Sequence, residues 1–152
     1  MRLPLVASVV ILLAGRAAVG QQVADPNFDT KVARPAYDSR HPKVLFDEAH
    51  HNFHTAGGRY KPFAELISSD GYQVTPNRAK FTAESLRGCD VLVIANALGA
   101  ESMGHPDAGK PAFTGDECRA VRDWVEAGGS LLLITDHEPM GPAAADLGKQ
   151  FG

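Results

Sequence analysis

Apolar residues along this chain follow two rhythms. In Val44-Leu45-Phe46, Val91-Leu92-Val93-Ile94-Ala95 and Leu131-Leu132-Leu133-Ile134 they stand on consecutive positions. Such short solid runs read as strands covered on both faces. Between them, Tyr60, Phe63, Leu66 and Ile67, and later Cys118, Val121, Trp124 and Val125, fall three and four apart, the spacing of one helical face. The pattern predicts a strand at Lys43–Asp47, a helix from Tyr60 ended by Gly71, and a short strand over 72–75. It continues with a brief helix over 82–87 stopped by Gly88 and a third strand over 90–97. A helix opened by the capping box of Thr114 and Glu117 and ended by Gly128-Gly129 comes next, then a strand over 130–135 and a helix over 143–150.

Strands that alternate with helices through right-handed crossovers predict a three-layer, doubly wound parallel α/β sheet of the flavodoxin-like kind. Four strands is few for that architecture, and Phe151-Gly152 follow directly on a helix. The α/β domain, residues 43–152, therefore reads as C-terminally truncated.

The chain ahead of the first strand reads as two further pieces. Arg2, the apolar stretch 3–15 and the small residues Ala18 and Gly20 have the layout of a secretory signal peptide over residues 1–20. The stretch is shorter than the ~20 residues of a membrane span, and position 16 is Arg where a lipoprotein would carry its cysteine. The expectation is export to the periplasm or outside the cell, with no stable membrane anchor after cleavage. Residues 21–42, with Pro26, Pro35 and Pro42, read as an extended arm. Loss of Arg2 and Arg16 with the leader moves the formal charge from −3 to about −5. No basic stripe remains to track a phosphate backbone, which argues against nucleic acid as a partner.

The chemistry gathers where two strands end. The first runs into Asp47-Glu48-Ala49-His50-His51-Asn52-Phe53-His54 and the fourth into Thr135-Asp136-His137-Glu138. In open parallel sheets ligands bind outside the carboxyl ends of the strands. If residues 48–54 make a helical turn, His50 and His54 share a face at i, i+4, the spacing by which two imidazoles reach one metal ion. Asp47, Asp136 or His137 then completes a site for a divalent metal such as zinc. Asp47, Glu48, Asp136 and Glu138 are the candidate catalytic carboxylates, one serving as base on a metal-bound water. Asn52, Asn96 and His137 are candidate substrate-binding groups. The loop 99–113, with Glu101, Ser102, His105 and Asp107, is placed to lie over the crevice.

The run from Trp124 through Gly128-Gly129 and Leu131-Leu132-Leu133-Ile134 to Asp136-His137 resembles the helix, Gly-Gly turn and strand of class I glutamine amidotransferase-like domains. It is most similar to the non-amidotransferase branches such as the trehalose-utilisation type, where a similar strand also ends in His. The segment 46–54 resembles an exported bacterial family of that fold. The resemblance spans residues 43–152 and implies an amidotransferase-like sheet. The family's amidotransferases carry a nucleophilic Cys in the turn after this strand. Thr135-Asp136-His137 stand there instead, which speaks against glutamine hydrolysis by a thiolate.

Two functions follow as expectations: a metal-assisted hydrolase at the strand ends, or a non-catalytic binding module for a glycan, small molecule or protein partner. Cys89 and Cys118 are expected at opposite ends of the sheet, too far apart for a disulfide. Mass spectrometry of secreted protein should find an N-terminus at or near Gln21. An intact Met1 form in the membrane fraction would contradict the leader assignment.

Overall fold

Four parallel strands form one sheet in the order β2-β1-β3-β4 in the computed structural model, which describes residues 23–152. The expected leader lies outside the described residues. The strands are β1 (Lys43–Asp47), β2 (Gln73–Asn77), β3 (Val91–Ala95) and β4 (Ser130–Ile134); the helices are α1 (Lys61–Ser69), α2 (Gly115–Glu126) and α3 (Met140–Gly148). In register, Asp47 stands opposite Asn77, and Ala95 stands opposite Ile134.

The solid apolar runs serve two cores because neighbouring strand residues point to opposite faces. Val44, Phe46, Val93 and Ala95 meet Phe63, Ala64 and Ile67 of α1. Leu92 and Ile94 meet Cys118 and Val121 of α2 and Ala144 and Leu147 of α3. Helices thus cover both faces. The chain leaves β1 toward β2 on one face and leaves β3 toward β4 on the other, so the winding reverses between β1 and β3. Sheets of this kind take ligands outside the carboxyl ends of the strands near such a reversal.

Four sequence expectations change in detail. Residues 82–87 form turns rather than a helix. Thr82 N–H donates to Ser85 Oγ and Ser85 N–H to Thr82 Oγ1, and such side-chain bonds offer the backbone an alternative to the helical ladder. The last helix begins earlier than position 143, at Met140, because its breakers Gly141 and Pro142 fall in the first turn, where proline is tolerated. Residues 48–54 form bends, not a helical turn, with His51 in the left-handed region at φ +48°. The loop 99–113 folds on itself, Gly99 N–H donating to the Ala108 carbonyl, and seats Ala108 against Met140 of α3. The capping box on α2 is present, and Cys89 and Cys118 are free thiols.

The arm runs from Val23 along α1. It is fastened where α1 ends: Val32 N–H donates to Ser69 Oγ, Ala36 N–H to Asp70 Oδ1 and Tyr37 N–H to the Asp70 carbonyl. Gly71 lies under this clasp at φ +99°, and a Cβ there would come within 1.8 Å of the Tyr37 carbonyl oxygen. Gly71→Ala should therefore cost about 2 kcal/mol or more, combining strained backbone with a displaced arm. Gly57→Ala, which meets nothing within 4 Å, should stay within about 0.5 kcal/mol. Urea midpoints of the two variants test this; equal midpoints would show that the arm is not clasped there.

Candidate functional site

The strand-end cluster divides into a closed network and an open pocket. The closed part is built on Asp47, the last residue of β1, which is fully buried. His50 Nδ1–H lies 3.0 and 2.9 Å from the two Asp47 carboxylate oxygens. On the other side of the ring, Nε2–H donates to Glu117 Oε1 at 2.9 Å. Carboxylates only accept, so both ring nitrogens must donate, and only the imidazolium does that. Phe81 and Phe113 close over the ring at centroid distances of 4.8 and 4.6 Å.

Both carboxylates are saturated. Asp47 also accepts from Ala49 N–H and from the Asn52 and Asn77 amides. Glu117 also accepts from Phe81 N–H, Thr114 N–H and Thr114 Oγ1. Burial alone would lower the His50 pKa, but Asp47 and then Glu117 outweigh it and hold it above 6.5. Burial would likewise raise Glu117; the Thr114 and His50 donors reverse that and bring it down to about 2. The bends at 48–54 follow from this network, since Asp47 and Asn52 side chains take the N–H groups of Ala49 and His50.

The open pocket lies beside the network, at the carboxyl ends of β3 and β4. It is a cavity of about 390 Å³ walled by His54, Arg59, Tyr60, Asn96, Thr135 and Asp136, with Val23 of the arm at its margin. Asn96 takes a left-handed backbone, φ +52°, which asparagine tolerates better than most residues. Its backbone ties the site together: its N–H donates to the Ile134 carbonyl and its C=O accepts from Phe53 N–H. His54 stacks on Tyr60 at 4.7 Å and leans on Phe53 at 5.1 Å. Burial lowers its pKa, the Arg59 charge lowers it further, and Asp136 opposes both. Arg59 lies 3.9 Å over the Phe53 ring.

Two polar atoms on residues of this wall, His54 Nδ1 and Asn96 Oδ1, are buried without a hydrogen-bond partner among the described residues. Each such orphan costs about 1–3 kcal/mol, so an orphan marks a place where something else can supply the bond. A larger cavity of about 570 Å³ sits at the opposite, amino end of the sheet between Tyr37, Tyr72 and Trp124. Its charged groups are already paired, Arg40 with Asp90 at 3.1 Å, and among the described residues no orphaned atom belongs to it. The smaller cavity is the better candidate.

The single crevice expected from the sequence is therefore not what forms. Asp47, His50 and Asn52 turn inward; His54, Asn96 and Asp136 line the pocket; the rest do other work. Glu48 accepts from Ala56 N–H and pairs with Arg78. His137 donates to the Glu138 carbonyl, and neither it nor Glu138 lines the pocket. No residue of the loop 99–113 lines it either. In the expected metal set, both ring nitrogens of His50 lie against carboxylates, and residues 48–54 form bends that put His50 and His54 on no common helical face. Among the described residues no group of three metal-ligating side chains is arranged to hold an ion. Glu117 is the residue the sequence concealed. Its capping-box role was legible, but nothing in the pattern reveals a partner 67 positions away.

No known family matches the chain, and no curated protein sequence matches it. Among solved structures it is similar to one described as the mmIFT52 N-terminal domain, with 18% identity and a TM-score of 0.51. The match covers 62% of this chain and 36% of that one, so the chain corresponds to about a third of its neighbour. At this identity the likeness shows the fold alone.

The network makes stability depend on pH in two directions. His50, raised above 6.5, contributes fully below that value and loses its contribution as pH climbs through its folded pKa. Glu117, depressed from 4.5 to about 2, contributes above 4.5 and loses its contribution as pH falls toward 2. Urea midpoints should decline on both sides of a plateau between these limits. His50→Ala should cost about 3–5 kcal/mol by leaving two buried carboxylates without their cation, and the alkaline decline should vanish with it. An unchanged pH profile in the variant would contradict the network.

Proposed function

We propose that this chain is a binding module for a small polar molecule, held in the cavity outside the carboxyl ends of β3 and β4. The scaffold is read as flavodoxin-like, on the amidotransferase-like pattern but without a cysteine nucleophile. The observation that carries the proposal is the pair of buried, unpartnered atoms, His54 Nδ1 and Asn96 Oδ1, in one cavity wall. The volume, about 390 Å³, lies toward the small end of the ~300–1,000 Å³ typical of ligand pockets. The position, next to the reversal in winding, is where this architecture commonly binds ligands.

The metal-assisted hydrolase becomes the weaker reading. It counted His50 among its candidate ligands, and both ring nitrogens of His50 lie against carboxylates. On the export reading the ligand is met outside the cytoplasm.

A thermal-shift screen of small polar compounds tests the proposal. Asn96→Gly keeps the left-handed backbone and removes the amide; Asp136→Ala removes an exposed carboxylate at little cost in stability. Compounds that stabilise the natural chain should bind each variant about tenfold or more weakly, the effect of losing one good hydrogen bond. Equal stabilisation of both variants would place the binding elsewhere, for instance in the larger cavity, and refute the proposal.

A further inference from the structure

We infer that the cavity selects an uncharged molecule presenting a hydroxyl or a carboxamide to the wall formed by His54 and Asn96. The inference rests on the binding proposal above and narrows it to a ligand class.

It starts from what the orphaned atoms require. Asn96 Oδ1 only accepts, so its partner must be a donor. His54 Nδ1 belongs to a ring whose burial and Arg59 neighbour favour the neutral form, and a neutral imidazole nitrogen donates or accepts according to tautomer. A group that both donates and accepts satisfies the two atoms together. A hydroxyl has one donor and two lone pairs, and a carboxamide has two donors and a carbonyl. An ether has no donor and leaves Asn96 unpaired.

Charge decides the rest. Among the described residues the wall carries one cation, Arg59, and one anion, Asp136, and both act on His54 with opposite signs. An anionic ligand meets Asp136 and a cationic one meets Arg59. Either one also gives up water on entering a partly enclosed cavity, and no net wall charge compensates for that loss. A neutral ligand escapes both penalties.

The test follows the Asn96 side-chain amide and the His54 ring by NMR in isotopically labelled full chain at neutral pH. Glycerol, acetamide, 1,2-dimethoxyethane, potassium phosphate and methylammonium chloride are titrated in separately. Glycerol or acetamide should shift both signals saturably, and whichever of the two does so tells hydroxyl from amide. The ether and the two ions should bind about tenfold or more weakly, and the shifts should be lost from His54 in Asn96→Gly. If phosphate or methylammonium shifts the signals while the neutral donors do not, the ligand class is wrong although the pocket binds. Binding of the ether as tight as that of glycerol would remove the donor requirement and overturn the inference in the same way. If none of the probes shifts either signal, the orphaned atoms are satisfied by internal water, and the binding proposal falls with the inference.

Discussion

A buried imidazolium between two carboxylates is the constraint on which the rest of this molecule depends. His50 lies three residues after β1, and its ring reaches Asp47 at the end of that strand and Glu117 in the first turn of α2. Burying three charges is expensive, and such clusters often contribute little net stability. Here the surplus negative charge is met by backbone and amide donors and by the amino end of α2, where the helix dipole favours an anion. The network fixes where the chain after β1 can go. It pulls His50 and Asn52 inward, forbids the helical turn their spacing suggests, and delivers His54 to the cavity at the strand ends.

Two histidines of one short loop thereby acquire opposite chemistry. His50 has acceptors on both nitrogens and is held protonated; His54 lies between aromatic rings beside Arg59 and is pushed toward the neutral form. The first is a structural cation with nothing left to offer a ligand. The second is a neutral polar group with an unused nitrogen. Residue type alone does not separate these roles; the presence or absence of a facing carboxylate does.

The fold was legible in the sequence where local pattern controls it. Consecutive apolar runs marked β1, β3 and β4, three-and-four spacing marked α1 and α2, and Thr114 with Glu117 marked the start of α2. Residues 82–87 misled because Thr82 and Ser85 replace helical bonds with their own hydroxyls. The start of α3 was obscured by Pro139 and Pro142, which read as breakers and fall at a helix beginning. The sequence placed its candidates at the ends of β1 and β4, and three of them, His54, Asn96 and Asp136, line the cavity. It treated all the strand-end acids and imidazoles as one cluster because distance along the chain was the only measure at hand. The division into lock and pocket comes from Glu117, Phe81 and Phe113, which arrive from other elements, and Arg59 and Tyr60 enter the pocket wall from the turn before α1.

Histidine ¹⁵N chemical shifts followed through a pH titration give the most direct test, since one experiment reads both rings. The account predicts that His50 keeps protons on both nitrogens to above pH 6.5, while His54 loses its charge below that value. Titration of both rings together, or of His50 at or below 6.5, would contradict the division of the strand-end cluster into a closed lock and an open pocket.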